Sequence, residues 1–175
     1  MLFEVVLKCK RSEHAYKSEG NLSSLVPRLE DCVFCHVVGN AAVASVVYSD
    51  ERVLAFMDTQ PVNPDHVLVI PKGHASCLAE LDEETGAQLF RVAMRVAEGV
   101  RRSGLKCEGV NLHLADGEAA GQEVSHVHLH VIPRFNGDGF GIGFGPHYGF
   151  RPDRNELDAT ALRIKDAMPQ GSQLF

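Results

Sequence analysis

The stretch Ser125-His126-Val127-His128-Leu129-His130-Val131-Ile132-Pro133-Arg134 decides the fold. Every second residue from His126 to His130 is a histidine, with branched aliphatic residues between. Successive side chains of a β-strand alternate faces, so the three imidazoles share one face and Val127, Leu129 and Val131 the other. Neighbouring imidazole-bearing Cα atoms then sit about 6.6 Å apart, two rises of about 3.3 Å each. The segment reads as a strand over 124–132, stopped by Pro133, with one face for the core and one for chemistry. Three imidazoles buried without partners would leave several donors and acceptors unpaired, which argues against a purely packed role. Two chemistries fit: metal ligation through His-x-His, or imidazoles acting on a substrate as nucleophile and electrostatic clamp. One strand can carry both.

Upstream, Ser45–Tyr48 and Val53–Met57 are β-branched or apolar runs separated by Ser49-Asp50-Glu51-Arg52, the pattern of a hairpin. His66–Ile70 is a further short strand, closed by Pro71. Asp82 then offers a helix N-cap, Glu83 and Glu84 suit the first turn, and Leu89, Ala93, Val96 and Val100 recur with helical spacing. Arg101, Arg102 and Gly104 mark the end of that long helix. Gly109–Leu114 reads as a strand and Asp116–Gln122 as a small-residue loop leading into the histidine strand. A glycine-rich stretch, Gly137–Gly149, precedes a last helix whose apolar residues are Leu157, Ala161, Ile164 and Met168. The fold class is α+β, an antiparallel sheet with a long helix and a C-terminal helix. Three segments follow: an N-terminal extension over 1–30, a core over 31–136, and a C-terminal loop and helix over 137–175 belonging to the same domain.

The chain of 175 residues is 45% hydrophobic and 23% charged, with 17 Lys and Arg against 23 Asp and Glu, a formal net charge of −6. These proportions describe one globular domain able to build its own core, and exclude collagen, coiled coil and disorder. No basic run exceeds two residues, so there is no electrostatic footprint for duplex nucleic acid or an anionic membrane, and any phosphate must be met locally. Five cysteines are too few for a disulfide scaffold. Met1–Leu7 is short and broken by Glu4, no run approaches the roughly 20 apolar residues of a membrane span, and a reducing cytoplasm is the expected location.

The segment His126-Val-His-Leu-His-Val-Ile132 resembles the His-φ-His-φ-His-φ-φ motif, φ being apolar, of the histidine triad nucleotide hydrolases and transferases. Four further segments occur in the family's order: Cys32-Val-Phe-Cys35, Val53–Asp58, His66–His74 and Gly117–Gln122. The resemblance covers about Cys32 to Arg134 and implies a nucleotide hydrolase that works through a covalent nucleotidyl-histidine. His128 is then the nucleophile, His130 the residue that holds phosphate oxygens beside it, and His66 the residue that orients the imidazoles. Asp58 matches the acidic residue that accepts ribose hydroxyls. Phe34 and Phe56 are walls of the base pocket or core aromatics. The loop carrying Gly121, Gln122 and Glu123 borders the phosphates, with Gly121 as the point of closest approach and Gln122 toward the leaving group. Candidate substrates are dinucleoside polyphosphates, nucleoside phosphoramidates and other adenylated small molecules.

The resemblance extends to the family's zinc-containing branch, whose ligands match Cys32, Cys35, His74 and His126. Two thiolates and two imidazoles suit one closed, structural Zn2+ per chain; the alternative is a pair of small buried thiols or a redox pair. Homodimers are the family's common state. The sequence departs from many relatives at Ala115, where an Asn is usual, and at Glu123, where Ser or Thr is found. Two rival functions stand beside the hydrolase: a zinc enzyme using metal-activated water, and a nucleotide-binding protein without turnover. His113 and His36 match nothing in the motif.

Overall fold

A computed structural model describes residues 32–141 and 143–169, so the N-terminal extension lies outside the described residues. Five antiparallel strands form one sheet: β1 (Val46–Ser49), β2 (Val53–Met57), β3 (Val67–Pro71), β4 (Gly109–His113) and β5 (Leu129–Arg134). Their spatial order is β1-β2-β3-β5-β4. The described residues also form three α-helices, α1 (Val33–Val38), α2 (Glu83–Arg102) and α3 (Arg154–Ala167). The chain divides into two compact units between Asp138 and Gly139. Among the described residues no helix is long and apolar enough to cross a membrane.

The hairpin forms where the alternation placed it, and Asp50 explains the turn. Its Oδ1 accepts from the Arg52 and Val53 amides, at 2.8 Å each, while Oδ2 accepts from Tyr48 and Gln88. These donors hold the Asp50 carboxyl down at about 2 despite its burial. In α2 the Asp82 carboxylate accepts from the Thr85 amide at 2.9 Å, and Leu89, Val92, Ala93, Val96, Ala97 and Val100 are buried. They meet Val53, Val69, Val127, Leu129 and Val131 from one face of the sheet. The opposite face carries a second cluster in which Phe34 and Val37 of α1 join Leu54, Phe56, Leu68 and Ile70.

The histidine segment departs from the expected strand over 124–132. Regular pairing begins only at Leu129 and continues through Pro133 to Arg134. β3 pairs with β5 through Val67↔Val131, Leu68↔His130 and Val69↔Leu129; extending that register would set Pro71 opposite Val127. Proline has no N–H to give a ladder, and the Val127 amide donates instead to the Ala75 carbonyl at 2.7 Å. The ladder thus opens at Pro71, yet alternation survives: Val127 packs under α2 while His126 and His128 are buried on the other side. Pro133 does not end the strand. β3 does not reach it, it pairs with Val110 on β4, and its carbonyl accepts from Asn63 Nδ2 at 2.9 Å.

α1, six residues long, is too short to show a helical period in the sequence. α3 is present with a complete capping box between Asp153 and Glu156, but none of its residues is buried, and the expected stripe at Leu157, Ile164 and Met168 is exposed. Replacing the α2 cap, Asp82→Ala, is expected to lower unfolding free energy by about 1 kcal/mol, read from the urea midpoint at unchanged m-value.

Candidate functional site

The first cluster joins four donors from three parts of the chain. Cys32 occupies the N-cap position of α1 and Cys35 lies one turn later, so both thiols leave the same side of the helix. Cys32 Sγ is 3.4 Å from His126 Nδ1, Cys35 Sγ is 3.3 Å from His74 Nδ1 and 3.7 Å from His126 Nδ1. A tetrahedron with sulfur arms of about 2.3 Å and nitrogen arms of about 2.05 Å has sulfur–nitrogen edges of about 3.5 Å. The four ligand atoms all lie within 4.8 Å of one another, so the set fits a four-coordinate metal ion. Burial, reinforced by the neighbouring Cys32, pushes the Cys35 thiol up to about 11. Two adjacent thiolates therefore need a cation between them. On its far side the His126 ring meets the Pro71 carbonyl, 3.0 Å from Nε2. A carbonyl only accepts, so Nε2 carries the proton and Nδ1 turns its lone pair to the thiols.

The same logic settles the next histidine. His128 Nδ1 lies 2.7 Å from the His126 carbonyl and must donate to it, which leaves Nε2 as a lone pair. His130 Nδ1 is 2.9 Å from Nε2 of His66, and the Val62 amide donates to Nδ1 of His66 across 3.3 Å. The Asp58 carboxylate, which only accepts, lies 3.1 Å from the same Nδ1, so the two neighbours call for opposite protonation of that nitrogen, and His130 is tied to the Asp58–His66 pair as a chain. The rings of His128 and His130 stand side by side, with centroids 4.8 Å apart. Burial is the first cause holding both His66 and His130 neutral, with His130 pulled down to about 4 and the imidazoles of His128, His66 and His113 adding to that shift.

Asp58 Oδ2 lies 3.1 Å from His66 Nδ1 and favours a charged ring there, but burial outweighs it. Its Oδ1 accepts from the Gln60 amide at 2.9 Å. Asp58, His66 and His130 could be read as a second metal trio. His66, however, meets Asp58 with one nitrogen and His130 with the other, which makes a chain and not a chelate. Phe34 stands edge-on to His128, with centroids 5.3 Å apart, and 5.8 Å from Phe56; both aromatics are core members, and Phe34 also borders the nucleophile candidate.

The loop before the triad is pinned by its own glutamine. Gln122 Oε1 accepts from the Gly117 amide at 2.7 Å, and Nε2 donates to the carbonyls of Ser76 at 2.8 Å and Val124 at 3.0 Å. Its amide is spent on backbone, so it shapes the loop. Gly121 has φ +84 with open space where a Cβ would sit, so the left-handed turn is what calls for glycine there. Glu123 is exposed, and Ala115 is buried. Sequence reasoning missed three groups without a side-chain signature, the carbonyls of Pro71 and His126 and the amide of Val62. It also left His113 without a role; that residue pairs with His130 across β4 and β5, rings 5.8 Å apart. An apolar cavity of about 430 Å³, bounded by Val47, Met57, Val92 and Val96, contains no imidazole or thiol.

Residues 40–137 match the HIT domain. The chain is 40% identical over 141 residues to an uncharacterized HIT-like protein of Borreliella burgdorferi, covering 80% of this chain and 95% of that one. A solved HIT family protein from Bacillus anthracis superposes with a TM-score of 0.74 at 35% identity, over 80% of this chain and 99% of the other. A Zn-bound histidine triad family protein from Mycobacterium smegmatis does so at 0.62 and 39%, over 79% and 99%.

The buried neutral imidazoles make stability depend on pH. His130 binds its proton near 4 when folded, against about 6.5 for a free imidazole. The unfolded chain thus takes up protons first as pH falls. Thermal stability is expected to hold above about 6.5 and to decline between about 6.5 and 4, followed by melting temperature against pH.

Proposed function

Because the chain belongs to the HIT family, we propose that it hydrolyses a nucleoside 5′-phosphoryl bond through a covalent nucleotidyl adduct on His128. The observation that carries this reading is the Nε2 lone pair of His128, left outward because Nδ1–H is held on the His126 carbonyl, with the His130 ring beside it. A neutral imidazole is a competent nucleophile near neutral pH.

In the first half-reaction His128 Nε2 forms a bond to the α-phosphorus, the bond to the leaving group breaks, and its electron pair departs with that group. Nδ1–H stays on the His126 carbonyl, which steadies the positive ring that results. In the second half, a water oxygen bonds to phosphorus and the P–N bond breaks, returning its electron pair to His128. One water proton remains on the nucleotide product and the other passes to solvent. His130 stands beside the non-bridging oxygens in both halves, and its hydrogen bond with His66 positions the ring. Asp58 takes the ribose hydroxyls on lone pairs left free by Gln60, and Phe34 with Phe56 offers the base an apolar wall. The loop of Gly121, Gln122 and Glu123 borders the phosphates. Dinucleoside polyphosphates, nucleoside phosphoramidates and other adenylated molecules all present the required phosphorus.

We assign Zn2+ to Cys32, Cys35, His74 and His126. Four protein donors would fill a tetrahedral ion's coordination without a reacting water, so the ion would supply cross-linking of α1 to the approach of β5. The Zn-bound relative supports the assignment. The purified protein is expected to hold about one zinc per chain, and Cys35→Ser to lower both zinc content and melting temperature. Metal-free wild type of unchanged stability would remove the assignment.

His128→Ala is expected to reduce turnover at least about a thousandfold while retaining nucleotide binding. Diadenosine tetraphosphate and adenosine 5′-phosphoramidate serve as substrates, and rapid quenching of the wild type should trap a nucleoside monophosphate on the peptide containing His128. Near-wild-type turnover in the variant would overturn the mechanism.

A further inference from the structure

The two cysteines of α1 meet the reactive imidazole by two routes. Along the helix, Phe34 lies between Cys32 and Cys35 and packs edge-on against both His126 and His128, with ring centroids 5.7 and 5.3 Å away. Across the donor cluster, both thiols face Nδ1 of His126, whose carbonyl takes the Nδ1–H of His128. His126 precedes Leu129, where the regular pairing of β5 begins, so its main chain stands outside the ladder. What holds the chain there is the Val127 amide on the Ala75 carbonyl, and this bond is flanked by two of the four donors: Ala75 follows His74, and Val127 follows His126. His74 Nδ1 in turn faces Cys35 Sγ. Closing the donor set clamps both ends of the Val127–Ala75 bond, and opening it releases both.

The same two thiols can leave the donor set together. Both are free, and their sulfurs lie within 4.8 Å of each other. A disulfide bridges Cα atoms about 4.4–6.8 Å apart, and one helical turn rises about 5.4 Å, so a bridge between them needs no movement of another segment. Cys35 is partly exposed while Cys32 is buried, which makes Cys35 the sulfur that a small oxidant reaches first.

We propose that Cys32 and Cys35 are a peroxide-sensitive pair whose oxidation to a disulfide empties the metal site and disarms His128. This rests on the nucleotidyl-transfer reading for what His128 does. The Cys35 thiolate attacks one oxygen of hydrogen peroxide, the O–O bond breaks, and hydroxide departs. The Cys32 thiolate then attacks the sulfenic sulfur, the S–S bond forms, and a second hydroxide leaves. The two sulfurs give up two electrons to the peroxide, and two solvent protons complete two waters. A disulfide offers no thiolate, and the imidazoles of His74 and His126 alone do not make a tetrahedral donor set. Both rings are then released from α1, and the His126 carbonyl no longer fixes which nitrogen of His128 bears the proton.

The test treats the zinc-loaded protein with hydrogen peroxide. Trypsin leaves both cysteines in one peptide, residues 29–52, which is expected to become lighter by two hydrogens as zinc passes to a colour-forming chelator. Turnover of diadenosine tetraphosphate and adenosine 5′-phosphoramidate should fall at least about tenfold, and a thiol reductant with zinc should restore it. The nitrogen-15 resonances of His128 give a readout that needs no turnover. They should show a protonated Nδ1 and a bare Nε2 before peroxide, and averaged nitrogens after it, while the amide resonances of β2 and β3 stay in place. Cys35→Ser, which cannot form the bridge, should show the averaged nitrogens from the start and no further change with peroxide. An unbridged 29–52 peptide after treatment, or a bridged one with zinc retained or the His128 resonances unchanged, would overturn the proposal. Wild type that turns over neither substrate but averages its His128 nitrogens on bridging would sink the hydrolase reading and leave the switch standing. Wild type that turns over both and keeps turnover and His128 resonances when bridged would do the reverse.

Discussion

A carbonyl oxygen that can only accept is the constraint on which this site depends. Pro71 O takes the proton-bearing nitrogen of His126, and His126 O takes that of His128. Each bond removes a choice that an imidazole would otherwise have, and each leaves the opposite nitrogen facing a defined partner. Backbone groups do this more firmly than side chains because they cannot rotate away or titrate. His130 is tied instead through His66, whose other nitrogen faces both the Val62 amide and the Asp58 carboxylate. Orderly alternation of histidines along a strand would not by itself fix the orientation of these rings.

The break in the ladder at Pro71 is what makes these carbonyls available. Were pairing between β3 and the histidine segment continuous, the main chain around His126 would be committed to the neighbouring strand. Instead Val127 bonds to Ala75, His126 turns its amide to Val124, and two carbonyls are left for imidazoles. The aliphatic side of the same segment packs under α2 throughout, which keeps the side-chain alternation despite the lost pairing.

Much of this was legible. The hairpin, β3, α2 and β4 announce themselves through alternation, an N-cap and a helical stripe, and the alternating histidines assign the two faces correctly. Cys32, Cys35, His74 and His126 converge as the family motif implies. The start of β5 was not legible, because it depends on which residue Pro71 would oppose across the sheet, a register fact that no local window holds. α1 is too short for a period, and the exposure of Leu157 and Ile164 on α3 runs against a stripe that reads as a buried face. The tautomers of His126 and His128 were beyond reach, since main-chain groups set them and every residue has those. Gln122 shows a related limit: its identity matched the motif, but its amide is committed to Gly117, Ser76 and Val124.

His126 belongs to two assemblies at once. Its ring closes the donor set with the thiols of α1, while its carbonyl orients the ring of His128. The two are joined by one residue's bonds, so they form a thermodynamic cycle: whatever free energy a fixed His126 ring contributes to the outward lone pair of His128, that orientation of His128 returns to the fixing of His126. Anchoring of the chain's first described helix and readiness of its reactive imidazole are therefore reciprocal quantities, and neither can be loosened without the other registering it.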